Sequence, residues 1–151
     1  MAEQTSKRTI VVGVDGSAGS DAAVRWCVAM APLLGAHVVV VHALVPPVYL
    51  LPPTLNALWT LDEEIRSDLG EAVEKWSEPL TEGAVAHETR VVNGVPAEEL
   101  MRIAAEVHAD LLVVGRRGHG GFADLVLGSV PRTLSHQADV PLVIVPVASS
   151  G

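Results

Sequence analysis

A chain of 151 residues, 49% hydrophobic and 19% charged, is long enough to bury one core of ordinary size and too apolar to be disordered. Its 18 acidic residues against 10 basic ones give a formal net charge of -8, which argues against nucleic acid or an anionic membrane as the main partner. A lone cysteine, Cys27, excludes an internal disulfide; set among Trp26, Val28 and Met30, it reads as a small buried apolar residue rather than a redox centre.

The first residues, MAEQTSKRT, lack the apolar core of a signal peptide, and the apolar stretch Val38–Val48 is too short to span a bilayer and carries His42. The expectation is a soluble cytoplasmic protein with one domain over residues 1–151, a flexible start at 1–7 and a short tail at 148–151. Five runs rich in Val or Ile have strand length: Thr9–Val14, His37–Leu44, Val85–Val92, Asp110–Val114 and Pro141–Val147. A first helix should follow Asp15-Gly16-Ser17, with Ala23, Trp26, Cys27, Met30 and Leu34 on one face. A second should open near Thr60, where Thr60 and Glu63 form a candidate capping box, and continue through Ile65, Leu69, Val73 and Trp76 to Leu80. The acids Asp62, Glu63 and Glu64 suit that helix start and are not read as a catalytic pair. A third helix starts near Pro96, which fits a first turn because its missing N–H has no partner there, and a fourth runs from Ser129-Val130-Pro131 to about Gln137. Between the second strand and second helix lies Val45–Trp59, where paired prolines block a helix and the many apolar residues suggest a lid or a contact surface. Strand and helix thus alternate, which implies an α/β fold: a parallel sheet with helices on both faces.

In such a sheet, ligands bind beyond the carboxyl ends of the strands, where the strand order reverses. The first strand is followed by Asp15, and the fourth by GRRGHGGFADLVLGS, Gly115 to Ser129. Four glycines, at 115, 118, 120 and 121, let the backbone turn tightly and approach a ligand; Arg116, Arg117 and His119 lie among them. The stretch ends at Gly128-Ser129, the start of a helix, where unpaired N–H groups favour phosphate. The whole reads as a two-piece phosphate cradle. No Lys-Ser or Lys-Thr follows the glycines, so it is not a Walker A loop. Gly118 to Ala123 formally matches a dinucleotide fingerprint, but only one strand follows it. Plainer roles exist for each piece: Asp15 can stabilise a turn, Ser129 makes a good N-cap, and His42 fits a satisfied buried histidine. The histidines and Cys27 show no metal-site spacing, so no metal site is expected in the protein itself.

The spacing Gly115-x2-Gly118-x9-Gly128-Ser129 resembles the ATP-binding signature of the universal stress protein family. So do the Val12-Gly-Val-Asp15-Gly-Ser opening, Gly94, Ala109-Asp110-Leu-Leu-Val-Val-Gly and Pro141-Leu-Val-Ile-Val-Pro, a likeness running over about residues 8–147. The resemblance implies a five-stranded parallel sheet of order 3-2-1-4-5. It places Asp15 by the ribose and adenine, Val41 in the adenine pocket and Gly115 near the ribose. Gly118, His119, Gly128, Ser129 and Val130 would face the phosphates, while Arg116 and Arg117 fill two variable positions. Two arginines argue for several phosphates, hence ATP, with magnesium or manganese as a companion. No general base or nucleophile pair stands beside the loop, so a regulatory binder is expected rather than an enzyme. The alternatives are a cyclic-nucleotide binder, a slow ATPase or self-phosphorylating protein, and a member that binds no nucleotide. In the implied order the third and fifth strands are edges. Pro141–Val147 carries no charge, unlike His87, Glu88 and Arg90, so a homodimer through the fifth strand is expected.

Overall fold

The computed structural model describes residues 7–45, 61–118 and 127–147. Five parallel strands form one sheet in the order β3-β2-β1-β4-β5. They are β1 (Arg8–Gly13), β2 (Ala36–Leu44), β3 (His87–Asn93), β4 (Leu111–Gly115) and β5 (Leu142–Val145). The described helices are α1 (Ala18–Leu34), α2 (Leu61–Trp76), α3 (Glu78–Glu82), α4 (Pro96–Glu106) and α5 (Ser129–Gln137). The valine-rich strands have no polar alternation because both faces of the sheet are covered. Ile10 and Val12 of β1 pack towards Ala23, Val24 and Cys27 of α1, with Val73 and Leu80 of α2 and α3 in the same cluster. Val11, one residue out of phase, packs towards Leu100 and Ile103 of α4 and Leu134 of α5. Cys27 is fully buried, and desolvation pushes its thiol up to about 12 from 9.0, so it stays protonated and unreactive at neutral pH.

Two elements differ from the sequence reading. The second helix does not run unbroken to Leu80: it stops at Trp76, and α3 restarts after Ser77. Pro79 has no N–H to continue the ladder, and its ring would meet the carbonyl four residues back. The periodicity survives the break because Val73 and Leu80 enter one cluster. Thr60, and with it the proposed capping box, lies outside the described residues, as does 46–60 of the long connection. The fifth strand is shorter than expected, and its lack of charge has a cause within the monomer. Leu142 and Ile144 pack on the α4–α5 side, Val143 and Val145 on the α1 side. Both faces of this edge strand are needed by the core. On the opposite edge, Thr89 of β3 donates to Glu74 at 2.6 Å, and Arg90 reaches Glu88 and Glu106 at 3.4 and 3.3 Å.

The order reverses between β1 and β4. The chain leaves β1 for α1 on one face and reaches α5 on the other after β4. A crevice therefore opens at the carboxyl ends of these two strands.

Candidate functional site

One wall of the crevice is the turn from β1 into α1. Val14 N–H donates to Val41 C=O at 2.9 Å, extending the β1–β2 pairing by one residue. Gly16 then takes φ 80, a conformation that favours glycine, and the Trp76 indole fills the space a Cβ would occupy. Asp15 holds the turn, since its Oδ1 accepts the Ser17 N–H at 2.9 Å. Ser17 is the N-cap of α1, its hydroxyl accepting the Ser20 N–H at 3.1 Å.

The other wall is the segment after β4. Arg116 N–H donates to Val145 C=O at 2.8 Å, and Arg116 C=O accepts the Gly128 N–H at 2.9 Å, which joins the two ends of the glycine-rich stretch. Gly128, not Ser129, is the N-cap of α5: its φ of -68 and ψ of 172 are extended, and its carbonyl accepts the Arg132 N–H at 3.1 Å. Ser129 is the first helical residue, and the loop's own bond to Arg116 fixes the cap one position earlier than the residue type suggests.

Between the walls lies a cavity of about 330 Å³. Asp15 and Val41 line it from the β1–β2 side; Gly115, Arg117 and Gly118 line it from the loop; Gly128, Ser129 and Val130 line it from the start of α5. These eight expected residues therefore meet at one place. Arg116 is not among the lining residues; its backbone ties β5 to the α5 start. His119 lies outside the described residues. The cavity is polarised, with the acidic Asp15 on one side and the basic Arg117 with a helix N-terminus on the other.

Some lining residues were not singled out as site residues from the sequence. His42 sits at the β2 end of the cavity with its Nδ1 2.8 Å from Val14 C=O, so Nδ1 carries the proton and donates, and its ring meets Trp76 edge-on at 5.5 Å. It is satisfied, as expected, but it also borders the cavity. Its position next to Val41 at the strand end was the available signal. Ser17, Ser20, Pro96 and Leu100 also contribute. Leu100 explains Gly13, where a Cβ would come within 2.8 Å of its Cδ1.

The model of the universal stress protein family matches residues 7–146. The chain belongs to the universal stress protein family. Among curated relatives, a universal stress protein of Mycolicibacterium smegmatis is 33% identical over 150 residues, 96% of this chain and 50% of that protein. The chain thus spans about half the length of this universal stress protein. Among solved structures, the universal stress protein UspA from Lactobacillus plantarum superposes with a TM-score of 0.77 at 20% identity, over 91% of this chain and 97% of that one. A universal stress protein in complex with cAMP superposes with a TM-score of 0.67 at 29% identity, over 93% of this chain and 98% of that one. The five-stranded order 3-2-1-4-5 is the one the family resemblance implied. No described helix is long and apolar enough to cross a membrane.

Proposed function

We propose that the chain is a cytoplasmic regulatory protein that binds an adenine nucleotide, ATP, in the cavity between β1 and β4. The observation that carries this reading is the polarised cavity itself. Arg117 and the α5 N-terminus offer an anion-binding side, while Asp15, whose Oδ2 lies over Gly118, offers a hydrogen-bond acceptor suited to a sugar or base. Among the described residues no three His, Cys, Asp or Glu side chains gather to hold a metal, so magnesium or manganese would be held chiefly by the phosphates. The cAMP complex of a relative favours a second reading, a cyclic nucleotide in the same cavity. Phosphoryl transfer needs a residue that orients the attacking group, and among the described lining residues Asp15 is the one carboxylate, already engaged by the Ser17 N–H. We therefore propose binding without appreciable turnover. Mass spectrometry of copurified nucleotide, followed by calorimetric titration with ATP and cAMP, tests the assignment. ATP binding with micromolar affinity is expected; hydrolysis at many turnovers per second would refute the non-enzymatic reading.

We also propose a homodimer through the β5 edge. β5 pairs with β4 on one side and presents its other backbone edge. Val145, 8% exposed, belongs to the α1 cluster, so a lysine there would disrupt the monomer and cannot report on assembly. Val147, 51% exposed just beyond the strand, is the better probe. Wild type is expected to sediment as a dimer at tens of micromolar, roughly where a micromolar dimer is assembled, and Val147→Lys as a folded monomer. A monomeric wild type would remove the proposal.

A further inference from the structure

We infer that Ser20, a buried helix residue, is a positioning residue for sugar recognition, acting through Asp15; this rests on the nucleotide reading above. The helix cap does not need its hydroxyl. Ser17 alone caps α1, its Oγ accepting the Ser20 N–H at 3.1 Å. The Ser20 hydroxyl makes two further bonds that both lead backwards out of the helix. It donates to Ser17 C=O at 3.1 Å and accepts the backbone N–H of Asp15 at 3.3 Å. In a capping box, the third helical residue reaches back to the N-cap amide. Ser20 occupies that third position but reaches two residues further, to the residue that carries the carboxylate.

Asp15 is thereby held through its amide by Ser20 and through its Oδ1 by the Ser17 N–H. Its Oδ2 then lies over Gly118, on the space a Cβ there would fill. The frame is stiff because Gly19, between the two serines, is in backbone contact with the β4 segment. A Cβ on Gly19 would overlap Arg117 C=O, and one on Gly115 would overlap the Gly19 backbone. A carboxylate accepts hydrogen bonds and repels phosphate, so this arm selects a neutral donor. The sugar's vicinal hydroxyls meet that description.

The test is calorimetric titration of wild type, Ser20→Ala and Asp15→Asn with ATP and with 2′,3′-dideoxy-ATP. A hydrogen bond to a charged group favours ATP by about tenfold or more in wild type. In Ser20→Ala that preference should fall to within about threefold, through weaker ATP binding, with dideoxy-ATP little changed. Asp15→Asn should show the same collapse. A purely structural Ser20 would weaken both ligands equally, and that result overturns the inference, as does a wild type with no preference. If Ser20→Ala folds too poorly to titrate, Ser20→Cys, similar in volume with a weak donor, carries the same comparison. Wild type that binds neither ligand would instead overturn the nucleotide reading itself, a distinct outcome.

Discussion

Gly118→Val is expected to weaken ATP binding by at least about a hundredfold, close to 3 kcal/mol, while leaving the protein folded. Any Cβ at 118 would sit on Asp15 Oδ2. A carboxylate is the mobile end of a side chain, so Asp15 can turn aside, and no backbone has to move. Turning aside breaks its bond to the Ser17 N–H and withdraws the acceptor from the cavity. The valine methyls then occupy the loop wall, where a backbone amide would otherwise approach the ligand. The fold itself loses little, since residue 118 is exposed and belongs to neither core cluster. Exposed substitutions of this kind usually stay within about 0.5 kcal/mol, a shift of roughly 2 °C in melting temperature. Titration calorimetry beside a thermal melt checks both halves. Unchanged affinity would move the ligand elsewhere, and a collapsed melt would show that the loop belongs to the core.

The parallel sheet was legible from sequence because strands buried on both faces must be apolar at every position; the strand order came with the family resemblance. At β5 the same property has two sources. Its uncharged run reads as an edge awaiting a partner, and Leu142 to Val145 are also used on alternating faces by the monomer's own helices. The place of the candidate cavity was legible from residue type and position together, with Asp15 after one strand, Gly115 and Gly118 after another and the helix start at 128–129 all lining it. What stayed hidden depends on geometry across the sheet. Ser20 looks like an ordinary early-helix serine until the Asp15 amide is seen above it at 3.3 Å. His42 looks like a core histidine until the strand end that carries it opens into the cavity. Arg116 and Arg117 are adjacent and alike, but the backbone of Arg116 bridges β5 and α5 while Arg117 lines the cavity.

Gly115 carries a packing requirement besides its place in the cavity wall, and Gly115→Ala should cost about 3 kcal/mol of stability, near the upper end for overpacking. A glycine near the ribose would tolerate a methyl at some loss of affinity. In the structure the methyl would meet the backbone carbon and oxygen of Gly19, with the Gly19 Cα only 2.9 Å away. Neither glycine has a positive φ, so the requirement is space and not backbone conformation. Main-chain atoms cannot rotate aside as the Asp15 carboxylate can. The first turn of α1 would have to lift from β4, and it carries the Ser17–Ser20 bonds and the helix that buries Ala23, Val24 and Cys27. Stability and binding should therefore fall together, unlike the effect of Gly118→Val. Gly70, in α2, is the internal control. A Cβ there meets nothing within 4 Å, so Gly70→Ala should stabilise the protein by about 0.5–1 kcal/mol through reduced chain entropy and better helix propensity. Urea denaturation of the three proteins reads both signs in one experiment. A Gly115→Ala midpoint at or above that of wild type would mean that α1 and β4 are not packed backbone to backbone at this point.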